Sequence, residues 1–510
     1  MSFPLGSINS GLKLESDKTR IETKEPSRRS FLKGGAALSG AAVISAATLG
    51  VLAAHTAQAG EHGQGHGSDR KRGRRAGSSY YGEVSPKPDQ HGDAILALPR
   101  DFEYVTFSRT GSPLSDGSPC PSRHDGMAAF DGPGRTIRLI RNHEIRNNPA
   151  ASFPFPVTGP THTRYDDKAM GGTVTVDFDP RRKRVVREFV SCNGTLNNCA
   201  GGYAYRNAGW ITSEENTGGV KQGYLKPHGY NFFVSAHANS AVKAAPLKWM
   251  GRMAHEAALA DVTGVLYETE DSGNNSGFYR ALPNDRRNLE AGGRLQMLAL
   301  KETWQANMYV GQTVGKRLAV QWVDIAMPDP DLENGAPTCF RQGRDNGAAA
   351  FNRLEGIYLS QDGRSVYFLS TSGGDAKYGQ LWHYIPADGK YTLEDQLVLV
   401  FESPDGSVLD SPDNLCISPR GGILFQEDDA SGDNDTHPLA SGMRDINRLV
   451  GMGRFGELFE FALNVHSESE FCGATWSPDG EILFVNLQGG DVADSGMTLA
   501  IWGPWERGPL

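Results

Sequence analysis

A short stretch, residues 355–384, carries the pattern that most constrains the fold. It contains an acid at Glu355, an apolar run, an Asp-Gly pair at Asp362-Gly363, a second apolar run, a small polar patch and a third apolar run. Two β-rich runs on either side of Asp-Gly predict a hairpin, because both central residues of a tight primed turn need φ > 0. The stretch therefore predicts a three-stranded meander with its acid at the inner end of the first strand.

The same pattern recurs along the chain from residue 98 onward. Six copies start at His124, Cys199, Glu256, Glu355, Asp413 and Cys472. From the second copy on, the steps are 57, 99, 58 and 59 residues, and an insertion between Asn284 and Asn352 accounts for the long step. This repeat predicts an all-β fold, a six-bladed β-propeller with a central metal-binding channel. A β-sandwich with coincidental turns is the alternative.

Acidic residues stand at the inner ends of strands in several copies. In a propeller the first strands line the central channel, so these acids are expected to converge on one mouth. The set is Glu214, Glu256, Glu270, Glu355, Asp413 and Glu427. Unpaired carboxylates at close range repel one another, and divalent or trivalent cations resolve that repulsion because they take several oxygen ligands. The alternative is that the acids cap turns or pair with arginines on separate blades.

Cys199 and Arg353 add two further chemistries to the acid set. Cys199 lies in a loop of small residues at 194–202, where a thiolate among carboxylates adds a soft ligand for a transition metal such as iron. A buried structural cysteine, or a disulfide with Cys192, explains it equally well. Arg353 shares one side of an extended strand with Glu355 and is a candidate catalytic residue for holding phosphate oxygens. An ion pair that only neutralises this acid is the alternative.

The first 59 residues are predicted to be a twin-arginine signal peptide. Arg28-Arg29 precedes a weakly hydrophobic Ala/Gly-rich run at 34–54, and Ala57-Gln58-Ala59 fits a small-x-small cleavage site. A membrane anchor is the alternative for this segment. Residues 60–93 are polar, which predicts a disordered linker, and residues 94–510 form the predicted propeller domain. No other stretch approaches about 18 apolar residues, so the mature protein is expected not to span a membrane.

Charge and motifs exclude several classes of function. The net charge of −9 argues against a nucleic-acid partner. The six cysteines include no CxxC pair, which argues against a zinc ribbon, and their spacing leaves any disulfide pairing open. The chain has no GxSxG, HExxH or Walker A motif and no Rossmann fingerprint between a strand and a helix. A serine hydrolase, a zinc protease, an NTPase and a nicotinamide enzyme therefore have no support.

Several segments resemble the PhoX-type alkaline phosphatase family. They are GTLNNCAGG followed by SEEN, RMAHEAALADVTGVLYETED with GFYRALP, FNRLEGIYLS, HDGMAAF with RLIRNHE, and SPDNLCISPRGGILFQEDD. The resemblance implies an exported six-bladed propeller that hydrolyses phosphomonoesters at a mixed iron–calcium centre. Carried over by motif, Cys199 would bridge two irons, Glu355 would bind metal and Arg353 would bind phosphate. The other acids that match family acids are Glu214, Glu256, Glu270, Asp413 and Glu427.

We therefore predict an exported phosphoesterase that acts on a small-molecule phosphate ester, with iron and calcium as cofactors. The precursor is expected to engage the twin-arginine export machinery, and the mature protein is expected to be a periplasmic or extracellular monomer. Two other functions remain open. One is a calcium-dependent lactonase-like propeller, which needs few ligands and no cysteine, and the other is a non-catalytic scaffold whose calcium ions hold the blades together.

The export signal makes a prediction of its own. Replacing Arg28-Arg29 by Lys-Lys should leave the precursor in the cytoplasm, because the export receptor reads the arginine pair and not only its charge. Cell fractionation with immunoblotting measures this, with the unchanged chain as the exported control. Normal export of the Lys-Lys variant would contradict the assignment.

Overall fold

A computed structural model describes residues 80–390, 392–428 and 436–510, and these residues form an all-β fold. The predicted signal peptide and most of the predicted linker lie outside the described residues. Within the described part, 26 strands form five antiparallel sheets, and one seven-residue α-helix, α1, spans Cys339–Asp345. The predicted all-β class is confirmed.

The strands follow one another in chain order with short connections. The first thirteen are β1 (Val84–Pro88), β2 (Ala94–Pro99), β3 (Glu103–Phe107), β4 (His124–Asp131), β5 (Ile137–His143), β6 (Gly171–Asp179), β7 (Arg184–Thr195), β8 (Asn198–Tyr203), β9 (Gly209–Glu214), β10 (Asn231–Ser235), β11 (His255–Ala260), β12 (Leu266–Glu270) and β13 (Phe278–Pro283). The others are β14 (Gly293–Leu300), β15 (Arg317–Asp324), β16 (Leu354–Leu359), β17 (Val366–Ser370), β18 (Gln380–Ile385), β19 (Gln396–Glu402), β20 (Pro412–Ile417), β21 (Ile423–Glu427), β22 (Arg448–Met452), β23 (Leu458–Asn464), β24 (Phe471–Trp476), β25 (Leu483–Leu487) and β26 (Met497–Trp502). Short 3₁₀ turns lie at Pro133–Arg135, Thr161–Thr163, Tyr205–Asn207, Val220–Gln222, Lys248–Met250, Leu289–Ala291, Leu332–Asn334 and Trp505–Arg507.

Neighbouring strands in the chain are neighbours in the sheets. The sheet orders are β4-β5-β6-β7, β8-β9-β10, β11-β12-β13-β14-β15-β19-β18-β17-β16, β1-β2-β23-β22-β21-β20 and β24-β25-β26-β3. The nine-stranded sheet contains two of the predicted copies, because β15, in the predicted insertion, pairs with β19. Apart from this pairing and those of β2 with β23 and of β26 with β3, which join strands far apart in the chain, the pairings are meanders, in which each strand runs antiparallel to the one before it.

Each of the six predicted copies begins at the first or second residue of a strand. These six strands, which we call the first strands, are β4, β8, β11, β16, β20 and β24. They contact one another in a closed cycle, in that order, and β24 contacts β4. Adjacent first strands approach closely: a Cβ added to Gly126 would lie 2.6 Å from the Cα of Ala200. Small residues at such positions allow the cycle to close, because a larger side chain would overpack it.

The predicted hairpin around Asp362-Gly363 is confirmed, but its turn is longer than two residues. β16 and β17 are antiparallel, and Leu359 pairs with Val366 across a six-residue connection. Gly363 has φ 69° and Asp362 does not have positive φ. Instead, Asp362 Oδ1 accepts a hydrogen bond of 3.1 Å from the backbone N–H of Arg364, so the aspartate closes the connection through its side chain.

The start of the described chain corrects the predicted domain boundary. Residues 80–93 were expected to belong to a disordered linker, but Val84–Pro88 forms β1 and pairs with β2, which in turn joins β23. Tyr81 is buried, and its ring lies 5.2 Å from that of Phe102 and 6.3 Å from that of Trp505. The sequence analysis missed this strand because two prolines interrupt it and it has little apolar periodicity.

Apolar side chains fill the spaces between sheets. Phe484 of the last sheet lies edge-on to Phe178 of the β4–β7 sheet, with ring centroids 5.3 Å apart. Phe278 stacks on Phe368 at 4.3 Å and joins the two halves of the nine-stranded sheet. Each such buried side chain contributes about 1.5–3 kcal/mol to folding. The site described next therefore stands on a packed scaffold.

A search of the described residues for a helix with the length and apolar character needed to cross a membrane finds none.

Candidate metal centre

The second residue of each first strand carries an acid or a thiol. These residues are Asp125, Cys199, Glu256, Glu355, Asp413 and Cys472. Because the first strands contact one another in a cycle, their starting ends meet at one place. The repeat thus gathers one chemically reactive side chain from each copy.

Four groups of potential metal ligands occur there. In each group one ligand atom per residue lies within 4.8 Å of the others, and the groups are Asp125, Glu144 and Cys199; Cys199, Glu215 and Glu256; Glu256, Glu355 and Asp413; and Asp413, Asp428 and Glu470. We call these nine residues the acid–thiol row. Neighbouring groups share one residue, which is Cys199, Glu256 or Asp413. Each shared side chain could therefore contact two cations.

The structure brings together four of the seven predicted metal ligands. Cys199, Glu256, Glu355 and Asp413 belong to the acid–thiol row. The other three, Glu214, Glu270 and Glu427, do not. Each is the last residue of the second strand of its copy.

At each of these three positions the predicted ligand is one residue before the acid that lies at the site. Side chains alternate between the two sides of a strand, so a shift of one residue reverses the direction of each side chain. The residue that follows each one is also acidic. Glu215 and Asp428 belong to the acid–thiol row, and Asp271 lies beside Arg353 with its Oδ2 3.4 Å from Nε.

The three displaced acids have partners inside their own sheets. Glu214 Oε1 lies 2.7 Å from His228 Nδ1, and its Oε2 accepts a hydrogen bond from the backbone N–H of Gly229. Glu427 receives two hydrogen bonds from the guanidinium of Arg448, at 2.6 and 2.8 Å, and one from its backbone N–H. Glu270 accepts one from the hydroxyl of Tyr279. The alternative of pairing with an arginine therefore describes Glu427, whereas Glu214 and Glu270 have other partners.

Four carboxyl residues of the acid–thiol row are buried and have strongly perturbed pKa values, and the other four are half-buried; the buried ones are Asp125, Glu256, Glu355 and Asp413. Burial and the neighbouring carboxylates raise the pKa of Asp125, Glu256 and Glu355 well above the usual range. Burial and Asp428 raise the pKa of Asp413 to about 7, against the opposing field of Arg353. Desolvation and like charge both disfavour the ionised form. Bound cations would reverse this balance and keep the acids ionised.

A model of the alkaline phosphatase PhoX family matches residues 79–491, and a model of the twin-arginine translocation signal matches residues 25–45. The chain belongs to the PhoX alkaline phosphatase family. It is an exported phosphoesterase that hydrolyses phosphomonoesters, and its export route leads to the periplasm or the extracellular space. The family resemblance read from the sequence is confirmed, and family membership decides against the lactonase-like enzyme and the scaffold.

One solved structure shares the fold of this chain. It is similar to Pseudomonas fluorescens PhoX in complex with vanadate, a transition state analogue, with a TM-score of 0.60 and 17% identity over 84% of this chain and 99% of that chain. A gluconolactonase from Xanthomonas campestris gives a TM-score of 0.38 at 11% identity, over 83% of this chain and 98% of that one. Regucalcin, a calcium-binding protein from Agrobacterium tumefaciens, gives 0.37 at 10% identity, over 79% and 97%. No curated protein matches the chain.

The metal dependence of the PhoX family fits the residues present. Asp271 Oδ1, beside the row, is buried and accepts no hydrogen bond from any described residue, and Glu355 Oε1 has only the ion pair with Arg353. A buried anionic oxygen is costly unless donors or cations satisfy it. One arginine does not balance the charge of all the carboxylates in the acid–thiol row, so the row has the composition that a cation site needs.

Arg353 lies beside the row, but it does not share an extended strand with Glu355 as predicted, because β16 begins at Leu354 and Arg353 has φ 40°. Its Nη2 is 3.1 Å from Glu355 Oε1, an ion-pair contact whose geometry does not make a hydrogen bond. Burial opposes its charge, but the fields of Glu355 and Asp271 outweigh that effect and raise the pKa of the guanidinium. The side chain is 30% exposed, so it remains accessible to a ligand in this PhoX-family site.

Residues with a strained backbone precede four members of the row in the sequence. Four non-glycine residues with φ between 40° and 53° stand two positions ahead of a row member: Arg123, Asn197, Arg353 and Ser411. Such a conformation costs about 1–3 kcal/mol and persists only where the surrounding structure imposes it. In each case it bends the chain at the point where the first strand begins, and so fixes the direction of the side chain that follows.

The six cysteines, all among the described residues, are free and buried. The disulfide between Cys192 and Cys199 that the sequence left open is therefore not formed. Cys192 lies in an apolar cluster with Trp210 and Tyr230. Cys199 instead faces carboxylates, with its Sγ 3.4 Å from Glu256 Oε1.

Five residues of the row were missed by the sequence analysis. They are Asp125, Glu144, Glu215, Asp428 and Glu470. A usable signal was present for two of them, because Glu215 and Asp428 are the second members of acidic pairs. Asp125 and Glu144 stand in the HDG and NHE motifs of the first copy, beside histidines whose rings lie against each other. Glu470 precedes its strand and has no sequence signal.

The one-residue correction can be tested with a pair of adjacent variants. Glu215→Gln should lower bound metal while the fold is retained, because it removes a charged ligand from the row. Glu214→Gln should lower stability by about 1–3 kcal/mol, since it removes the nearer of the two carboxylates beside the buried His228 and leaves only Asp166 at 3.5 Å. Metal analysis by mass spectrometry and urea unfolding of both variants measure the two effects. The same metal content and stability in both would contradict the assignment.

Proposed function

We propose that this PhoX-family enzyme carries a mixed iron–calcium centre held by the acid–thiol row. The observation that carries the proposal is the position of Cys199, which is shared by two of the four groups. A thiolate in a shared position can bridge two metal ions, and its softness favours a transition metal such as iron. Glu256, Glu355 and Asp413 would bind metal alongside it.

The two groups without a thiol favour a different ion. The group of Glu256, Glu355 and Asp413 and the group of Asp413, Asp428 and Glu470 offer oxygen atoms only. Hard cations such as calcium take six to eight oxygen ligands in flexible geometries. The donor atoms therefore favour iron beside Cys199 and calcium at the other end of the row.

The chemistry of phosphomonoester hydrolysis divides between the ions and the protein. When bound, the ions would act as Lewis acids that polarise the phosphoryl group. Arg353 would hold the phosphoryl oxygens through its planar fork, which matches phosphate geometry, and would stabilise the charge that develops on them. Glu355 would orient this guanidinium through the ion pair. Burial of the row limits water, which strengthens each of these interactions.

We further propose that the fold is a six-bladed β-propeller and that the enzyme acts as a monomer. The closed cycle of six first strands supports six blades, because each strand opens one copy of the repeat. The cycle closes within one chain, so no second subunit is needed to complete the site. The substrate would be a small-molecule phosphate ester that enters from the end where the row lies.

The family match and the position of β1 bear on the domain boundaries. We propose that residues 1–59 are removed as the signal peptide during export through the twin-arginine machinery. The family match begins at residue 79, and β1 begins at Val84, so the folded domain starts before residue 94.

Replacement of Cys199 tests the centre most directly. Cys199→Ser should keep the fold while iron content and phosphatase turnover fall together, because a serine hydroxyl resists deprotonation and is a hard ligand. Metal analysis and a phosphomonoester assay on the purified protein measure both. A control variant, Cys192→Ser, alters a buried cysteine away from the carboxylates and should lose only stability, about 1 kcal/mol. A folded, iron-replete and active Cys199→Ser enzyme would remove Cys199 from the site.

Arg353→Lys separates phosphate recognition from metal binding. Lysine keeps the charge but loses the bidentate fork, so the KM for phosphomonoesters should rise and inhibition by vanadate should weaken by about tenfold. Metal content should stay unchanged. Unaltered vanadate inhibition in this variant would show that Arg353 only neutralises Glu355.

A further inference from the structure

A cavity of about 630 Å³ opens beside one end of the acid–thiol row. Asp428 and Glu470, both members of the row, form part of its wall. Small-molecule sites commonly occupy about 300–1,000 Å³, so the cavity has room for the alcohol portion of a phosphate ester. A phosphoryl group held at the row would place its leaving group at the entrance of this cavity.

We propose that this cavity selects phosphomonoesters whose leaving group carries an ammonium group, that is, esters of amino alcohols and amino sugars. The inference rests on the proposed function, since it assigns a substrate class to the same site. It follows from two properties of the cavity wall: the hydrogen-bonding groups that the wall leaves free, and its charge.

Several donors of the wall already have acceptors within it, while two carboxylates of the wall can accept further hydrogen bonds. The Ser495 hydroxyl donates to the Gly490 carbonyl at 2.8 Å, and the Gly490 N–H donates back to that hydroxyl. The Gly489 N–H donates to the Ser469 hydroxyl. The carboxylates of Glu468 and Asp494 are acceptors, so a ligand must supply the donors. An ammonium group supplies three.

Two acids of the wall, Asp494 and Glu468, form no ion pair with a cation of the described residues. Asp494 is exposed, and its carboxylate has no hydrogen bond or ion pair with any described residue. Glu468 Oε1 accepts one hydrogen bond, from a backbone N–H at 2.9 Å. Arg109 lines the cavity too, but its guanidinium is 3.0 Å from Asp89 and 3.7 Å from Asp93, which compensate its charge.

Other leaving groups fit the wall less well. Val492 and Ala493 supply its apolar side chains, so an aromatic ring would meet aliphatic carbon there and no phenylalanine, tyrosine or tryptophan to stack on. His466 is the remaining ionisable group. A second phosphate or carboxylate on the substrate would lie beside Glu468 and Asp494 and be repelled.

Two esters of equal size provide the test: O-phosphoethanolamine and 2-hydroxyethyl phosphate, which differ only by an ammonium in place of a hydroxyl. The metal-loaded enzyme should favour the ammonium ester by about three- to tenfold in kcat/KM, as expected from two partly exposed charge contacts. Asp494→Asn should reduce this ratio, and the charge reversal Asp494→Lys should invert it. Glu302→Gln, which removes an exposed acid outside the cavity, should leave the ratio unchanged.

Calorimetric binding of the same two esters separates this inference from the catalytic proposal. Preferential binding of the ammonium ester without phosphate release would refute hydrolysis and support the cavity assignment. Equal turnover of both esters by the unchanged enzyme, or a ratio that does not move in Asp494→Lys, would overturn the assignment and leave hydrolysis intact. Failure to bind either ester would also overturn it. Circular dichroism and metal analysis confirm that each variant is folded and loaded.

Discussion

Buried carboxylates within 4.8 Å of one another cannot all be anionic without a counter-charge, and this constraint governs the site. The acid–thiol row collects eight carboxyls and one thiol, while Arg353 supplies one positive charge in direct contact. Either several acids are protonated or cations are bound. The sheets tolerate so costly a cluster because their stability comes from apolar contacts between neighbouring sheets, away from the row.

Sequence periodicity predicted the repeat, but in three copies it placed the acid of the second strand one residue too early. The first strands were located within one residue, since the acid or thiol and the small residue after it recur in similar positions. At the second strand two acids stand side by side, as in Glu214-Glu215 and Glu427-Asp428, and both fit the pattern. Only three-dimensional geometry distinguishes the acid that pairs with His228 or Arg448 from the one in the row. The β1 strand escaped prediction because pairing with β2, rather than its own periodicity, specifies it.

In these acidic pairs the first acid stabilises the sheet and the second belongs to the acid–thiol row. Glu427 ties the end of β21 to Arg448 on the neighbouring strand β22. Asp428, the next residue, points to the row. The buried ion pair between Glu427 and Arg448 fixes the end of the strand. Asp428 comes directly after that end, so its backbone is already held in place. The strained residues ahead of the first strands act in the same way from the other side. The row is thus oriented by neighbours that do not take part in it.

The pairing of β3 with β26 has a consequence for the timing of folding. β3 lies at the start of the described chain, and β26 lies near residue 500, so the sheet that they share joins segments made early and late in synthesis. The cycle of first strands cannot be completed while β24 to β26 are still inside the ribosome. The fold is therefore completed only after the last strands have been made. A route that carries folded proteins suits such a chain, because its closing step can take place in the cytoplasm before the membrane is crossed.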